Sequence, residues 1–300
     1  MPGLEFERIT QMTRCRLHAR YGSANIRTWI GFKQFMGLAE EAVLTWFRER
    51  GHGPQQLYHS YGVGLSIVDS SVMLPAVLEI DDEVEAAVEW TRPGRFGVRL
   101  TVDREGQAVT VMRGKLSVAL VAERIQPPGA APANLPEYLS PLAVPSVKGE
   151  AEPPVAGKPF HFPWRARYFH CHFSDRVQHG TYVAALEEVV DRFLEHRGIS
   201  VPRLLTERGW IPVVSRARVR LLADAHMDED IQTSFGVSDI VKDRGYDGRM
   251  DSHVTVDGQP TRHVATAQIL HGYAVSQGEL AGTLAELDAQ TIQALTAETS

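Results

Sequence analysis

The feature of this 300-residue sequence that most constrains its fold is an internal repeat. Ala19-Arg20-Tyr21 recurs as Ala166-Arg167-Tyr168, an offset of 166 − 19 = 147 residues. Further pairs at this offset are Glu40/Glu187, Val43/Val190, Gly51/Gly198, Gly62/Gly209 and Asp81/Asp228. Because the shared positions include apolar, glycine and acidic residues, the repeat predicts two copies of one folding unit.

Each copy carries the same order of predicted elements. In the first copy a strand over 12–22 precedes a helix over 31–50, and further strands follow near 63–76, 83–91, 97–103 and 109–122. In the second copy the corresponding elements are a strand over 164–173, a helix over 180–197, and strands near 210–223, 230–238, 250–256 and 261–275. The sequence therefore predicts an α+β chain in which an antiparallel sheet encloses one long helix, twice.

Proline content marks the join between the copies. Nine of the seventeen prolines lie in residues 126–160, and such a stretch favours an extended, semi-rigid chain. We therefore predict a first unit over 12–125, a linker over 126–160, a second unit over 161–275, and a tail over 276–300 that contains a short helix.

Composition excludes several classes of function. A net charge of −6 without clustered Lys and Arg argues against nucleic-acid binding. No apolar run reaches membrane-spanning length, and the N-terminus lacks the pattern of a signal peptide. Cys15 and Cys171 are isolated, which is typical of free thiols in a reducing compartment. These features predict a cytoplasmic protein, and no pattern indicates a cofactor.

A motif in the second copy points to a family. Asp175 lies in a loop, Gln178-His179-Gly180 follows, and Tyr182 and then Glu187 come on the predicted helix. This pattern resembles the hot-dog thioesterases, in particular the 4-hydroxybenzoyl-CoA thioesterase-like group, although the Asn-rich string common in that loop is absent. The resemblance implies a double hot-dog fold and hydrolysis of an acyl thioester on CoA or an acyl carrier protein.

The fused arrangement is also similar to a narrower group, the dual-function thioesterases of polyketide macrolactam biosynthesis. Those enzymes add glycine to an α,β-unsaturated thioester and then hydrolyse it. The resemblance implies an additional site for the amine, and glycine as a further substrate.

Thioester hydrolysis needs a polarised carbonyl and an activated water or carboxylate nucleophile. The N-terminus of a helix polarises a carbonyl through free amides, and Gly180 would let the thioester approach this end closely. Asp175 is then the predicted base or nucleophile, and Gln178 and His179 are predicted to contact the substrate. The alternative is that Asp175 or Ser174 merely caps the helix.

Three further residues are candidates for the site. His59 lies between a helix and a strand, where it can shuttle protons or bind the carboxylate of glycine, although an ordinary loop histidine is the alternative. Glu40 and Glu187 occupy the helix position at which the family carries a Glu. We assign Glu40 to structure and Glu187 to substrate binding.

Two clusters of like residues remain. Arg216, Arg218 and Arg220 alternate on one strand, so they share one face of the sheet. Such a stripe suits the phosphates of CoA or an acidic carrier protein, with Arg218 at its centre, and a solvated outer face is the alternative. His170 and His172 also alternate, but without a third ligand they do not predict a metal site.

The sequence thus predicts thioester hydrolysis at one of two related sites, the other being vestigial. Alternative functions are a β-hydroxyacyl dehydratase or enoyl hydratase, and an acyl-binding protein without activity. Association of two chains into a homo-oligomer is left open by the sequence.

Overall fold

The computed structural model describes residues 12–131, 134–143 and 159–297. In the first unit the elements are β1 (Thr13–His18), α1 (Phe32–Glu49), α2 (Pro54–Tyr61), β2 (Val63–Met73), β3 (Glu83–Arg92), β4 (Arg95–Arg104) and β5 (Gln107–Ala122). α1 is amphipathic, and its buried face includes Phe35, Ala39, Val43 and Trp46. It packs on β1, β3 and β4.

The second unit repeats this order and adds a short hairpin and a final helix. Its elements are β6 (Phe160–Arg165), β7 (Cys171–His172), β8 (Arg176–Val177), α3 (His179–His196), α4 (Val201–Arg208), β9 (Trp210–Leu221), β10 (Asp230–Val241), β11 (Gly245–Val256), β12 (Gln259–Val275) and α5 (Ala289–Thr296). α3 contacts three strands of its own unit, β6, β9 and β10, just as α1 contacts three strands of the first unit.

The two units share one sheet. Ten strands lie in the order β1-β3-β4-β5-β2-β9-β12-β11-β10-β6, and every neighbouring pair is antiparallel. The second five strands mirror the order of the first five, and β2 pairs with β9 at the joint, from Asp69↔Arg220 to Met73↔Arg216. α1 and α3 contact each other. This arrangement is a double hot-dog, which confirms the predicted α+β fold.

One predicted strand is wrong beyond its first two residues. The strand expected over 164–173 ends at Arg165, and a short 3-10 turn at Tyr168–His170 leads into the β7–β8 hairpin. Phe173 turns this hairpin with a φ of 60°, a left-handed conformation that is uncommon outside glycine. The turn directs Arg176 onto Glu123 of the first unit, a tertiary contact that strand periodicity does not report.

The linker and tail are described in part. Residues 132–133 and 144–158 of the predicted linker lie outside the described residues. In the tail, Asp288 caps α5 by accepting the Thr291 amide, and Leu295 is buried, whereas Leu280 and Leu284 precede the helix and are exposed. In the described ranges, none of the helices has the length and apolar composition of a membrane span.

Candidate functional site

The N-termini of the two long helices are equivalent positions under the repeat. α1 follows Gly31 and α3 follows Gln178, and neither residue caps its helix with a side chain. The first amides of a helix have no intrahelical acceptor, and the helix dipole makes this end attract negative charge. A cavity of about 730 Å³ adjoins the start of α1, and one of about 550 Å³ adjoins the start of α3.

Both units form the cavity at the start of α3. Gln178, His179 and Gly180 line it from α3, while Lys33 and Glu40 line it from α1. A Cβ on Gly180 would meet no atom within 4 Å, so the space beside this residue is open. The amides of His179 and Gly180 make no hydrogen bond to described residues. The α3 terminus is therefore open to a carbonyl oxygen from a ligand.

Glu40 faces this end from the other helix. It is half-buried and makes no hydrogen bond or ion pair with the part of the chain that the structure describes. Burial raises the pKa of its carboxyl to about 6, and the neighbouring charge of Glu41 adds to the effect. A carboxylate with a pKa near neutrality is suited to accept a proton from water.

The start of α1 is closed in a way that the start of α3 is not. The Lys33 amide donates a hydrogen bond to Glu187 Oε1 at 2.8 Å, and Lys33 Nζ lies 3.9 Å from Oε2. Burial raises the pKa of Glu187, and the hydrogen bond from Lys33 opposes that shift. Under the offset, Lys33 corresponds to Gly180 and Glu187 to Glu40. The second amide of the helix is thus hydrogen-bonded to a carboxylate in α1, whereas in α3 it has no hydrogen-bond partner among the described residues.

His179 anchors the first turn of α3 to the centre of the sheet. Its Nε2 lies 3.0 Å from Ser70 Oγ on β2, and the ring is buried. Burial lowers the pKa of this imidazole to about 4, so the ring is neutral at physiological pH. His179 borders the cavity, but its ring bonds to Ser70 and thereby positions the helix. Contact between His179 and the substrate stays a prediction.

Asp175 lies in the hairpin that precedes α3 and does not line either cavity. Its Oδ2 is 3.0 Å from Arg124 Nη1, and its buried Oδ1 has no hydrogen-bond partner among the described residues. Neither Asp175 nor Ser174 caps α3, so that alternative is wrong. The catalytic role of Asp175 stays a prediction.

A buried ion pair holds the hairpin against the first unit. Arg176 Nη2 donates to Glu123 Oε1, and Ser174 Oγ donates to Glu123 Oε2 at 2.8 Å. Both charged side chains are almost fully buried. Gly64 makes room for them, since a Cβ there would lie 1.9 Å from Glu123 Oε1.

His59 lies near this hairpin without reaching the cavity. It is exposed on α2, and its ring contacts that of Tyr58, which in turn stacks on Phe173 of the hairpin. The structure records no contact between His59 and Asp175 or α3. A shared role for His59 and Asp175 stays a prediction.

Arg218 lies on the outer face of the sheet rather than at a cavity. It donates two hydrogen bonds to Asp69, at 3.0 and 2.8 Å, across the joint between the units. Arg216 likewise pairs with Asp247 at 3.1 Å. Acidic side chains of the protein thus already contact this stripe, and its role in binding CoA or a carrier protein stays a prediction.

The histidines of the hairpin region do not form a metal site in the described part of the chain. His170 Nδ1 accepts the Arg167 amide at 3.0 Å, and burial lowers the pKa of His172 to about 4. No group of three or more His, Cys, Asp or Glu residues in the described ranges is arranged to hold a metal ion.

Comparison with known proteins supports the fold of the chain and finds that its second unit is similar to a known superfamily. Residues 166–292 match the model of the thioesterase-like superfamily, and curated protein sequences give no match. A 12:0-ACP thioesterase from Umbellularia californica has a TM-score of 0.63 at 12% identity, covering 91% of this chain and 98% of that one. An acyl-ACP thioesterase from Bacteroides thetaiotaomicron has a TM-score of 0.56 at 11% identity, covering 88% and 98%. At these identities the two structures show a common fold.

Proposed function

We propose that this double hot-dog protein, whose residues 166–292 match the thioesterase-like superfamily, hydrolyses an acyl thioester in the cavity at the start of α3. One observation carries the proposal: the unbonded Gly180 amide and the unpaired Glu40 carboxylate line the same cavity. The equivalent amide and carboxylate at the start of α1, those of Lys33 and Glu187, are hydrogen-bonded to each other.

The geometry supports a simple mechanism. The amides of His179 and Gly180 donate to the thioester carbonyl oxygen and stabilise the negative charge that develops there. Glu40 takes a proton from water as the water oxygen bonds to the carbonyl carbon. The carbon–sulfur bond then breaks, and the thiolate leaves with that proton as a thiol. The products are a carboxylic acid and the free thiol.

The substrate class we propose is an acyl group carried by CoA or by an acyl carrier protein. The two related structures are named for carrier-bound substrates, which favours including that form in a test. Purified protein should release free thiol from acyl-CoA or acyl-carrier thioesters of several chain lengths. Reversible hydration without thiol release would instead indicate a dehydratase or hydratase, and no turnover of any thioester would favour an acyl-binding protein.

A narrower proposal is that glycine adds to an unsaturated thioester before hydrolysis, with His59 binding the glycine carboxylate. The exposed position of His59 leaves its ring accessible to such an anion. Crotonyl thioester with glycine should then give a glycine adduct that butyryl thioester does not give. His59→Ala should remove the adduct while thiol release continues, and an unchanged adduct yield would eliminate His59 from this step.

The pKa of Glu40 predicts how hydrolysis depends on pH. Glu40 accepts a proton only when ionised, so kcat/KM should be low below about pH 6, rise through that value and level off above it. A pH profile of kcat/KM with a stable substrate tests this. An activity that falls as pH rises from 5 to 7 would contradict a carboxylate base with a raised pKa.

Gly180 offers a second test because its side-chain position faces open space. Gly180→Leu should retain the fold, since no atom lies within 4 Å of the new Cβ, and should lower kcat/KM by at least about tenfold by filling the cavity. Gly180→Ala is the smaller control, and its stability should equal or exceed that of the wild type because Ala favours helix. Thermal unfolding and steady-state kinetics on both variants separate the two effects.

A further inference from the structure

The larger cavity, at the start of α1, has the character of a ligand site. Its volume of about 730 Å³ lies within the usual range for small-molecule sites, roughly 300–1,000 Å³. The lining is mainly apolar and includes Trp29, Phe35, Val190 and Val213. Two apolar side chains of this lining, Val77 and Leu284, are 36% and 46% exposed. A chain-like apolar molecule can therefore enter from solvent.

This cavity is not equipped to polarise a thioester. The Glu187 carboxylate accepts the Lys33 amide at 2.8 Å, so the amide equivalent to that of Gly180 is already hydrogen-bonded within the protein. A molecule bound here would remain intact. The site is thus distinct in chemistry from the cavity at the start of α3.

His271 supplies a polar group with unused hydrogen-bonding capacity. It lines the cavity, is 4% exposed, and its Nδ1 has no partner among the described residues. Nδ1 is itself enclosed by protein atoms, and Nε2 makes no hydrogen bond to the described residues either. Buried polar groups are nearly always hydrogen-bonded, so an imidazole of this kind in the lining of a cavity indicates a ligand group or a water. Burial lowers the pKa of His271 to about 4, so the neutral ring offers both a donor and an acceptor.

The other polar side chains of the cavity restrict the charge of a ligand. Glu187 and Asp191 both line it from α3, and no Lys or Arg is among the described residues of the lining. Two carboxylates without a cation in the lining disfavour an anion such as a free fatty acid.

We propose that the cavity at the start of α1 binds, without cleaving it, an uncharged aliphatic molecule with one hydroxyl or amide group that hydrogen-bonds to His271. Binding 1-decanol tests this by calorimetry, with decanoate as the charged counterpart of equal chain length. We expect saturable binding of decanol and at least about tenfold weaker binding of decanoate. Tryptophan fluorescence should change on binding, and Trp29→Phe should remove most of that change.

Two variants locate the site. Ala76→Trp, on the β2–β3 loop that lines the cavity, should lower decanol affinity by at least about tenfold by filling space. His271→Phe should lower it about threefold to tenfold by removing the hydrogen bond. Thermal unfolding identifies a variant that fails to fold, in which case the decanol–decanoate comparison on wild type decides.

The proposal is overturned if decanoate binds wild type as tightly as decanol, or if folded Ala76→Trp binds decanol normally. It is also overturned if Ala76→Trp folds but loses thioester hydrolysis together with decanol binding, because the cavity would then be the catalytic one. Since binding is measured without any thioester, failure to hydrolyse thioesters leaves this test unaffected.

Discussion

Glu40→Gln should lower kcat for thioester hydrolysis by about 10²- to 10⁴-fold, the usual contribution of a general base. The amide cannot accept a proton from water, yet it matches the carboxyl in shape. Because Glu40 makes no hydrogen bond or ion pair with described residues, the substitution should leave the fold intact. Stopped assays of thiol release at saturating substrate, with circular dichroism on the same samples, measure both quantities.

Glu187→Gln is the matched control, since it makes the same change at the equivalent position of the other helix. Its side-chain oxygen can still accept the Lys33 amide, so kcat should stay within about twofold of wild type. Asp175→Asn belongs in the same experiment because sequence indicates Asp175 as the base. Full activity in Glu40→Gln together with loss of activity in Asp175→Asn would assign the role of general base to Asp175 and refute the proposed mechanism.

The second large effect concerns stability rather than rate. Arg176→Ala should reduce the free energy of unfolding by about 3–5 kcal/mol, because it leaves the Glu123 carboxylate buried without its cation. The same pair joins the α3 hairpin to β5's end in the other unit, so its loss should also loosen the segment that sets the start of α3. Urea unfolding gives the stability, and hydrogen exchange at Gln178–Gly180 gives the local effect.

Two further variants make this prediction specific. Arg124→Ala removes the exposed partner of Asp175 and should cost no more than about 1 kcal/mol, as exposed ion pairs do. Replacing the pair together, Glu123→Gln with Arg176→Met, should recover much of the loss because no uncompensated charge remains. If Arg176→Ala proves as mild as Arg124→Ala, the buried pair does not stabilise the fold.

The repeat was sufficient to predict most of the fold. The predicted helices over 31–50 and 180–197 agree with α1 (Phe32–Glu49) and α3 (His179–His196) to within one residue at each end. Such helices are determined locally, by apolar residues at helical spacing and by the glycine that follows each helix, Gly51 or Gly198. The β7–β8 hairpin was missed because its course depends on Glu123, which is far away in sequence.

The candidate site was less predictable, for a related reason. The motif identified Gly180. Glu40 was assigned to structure because the start of α3, with which it shares a cavity, belongs to the other unit. A signal was nevertheless present. The offset aligns Lys33 with Gly180 and Glu40 with Glu187, so only the second copy has a glycine at the second position of its long helix. Comparing the copies position by position identifies the open end.

The β2–β9 joint also determines which halves can associate. Its register places Ser71 opposite Arg218, with Asp69 and Met73 opposite Arg220 and Arg216. Were two second halves to join through β9 in the same register, Arg218 would face its own copy and Arg216 would face Arg220. The interface would then hold six arginines without the Asp69 carboxylate that β2 supplies. Like charges directly opposite each other on neighbouring strands repel. A separately expressed second half should therefore associate with a first half rather than with another second half. The side chains of β2 and β9 thus favour the same pairing that the covalent fusion enforces.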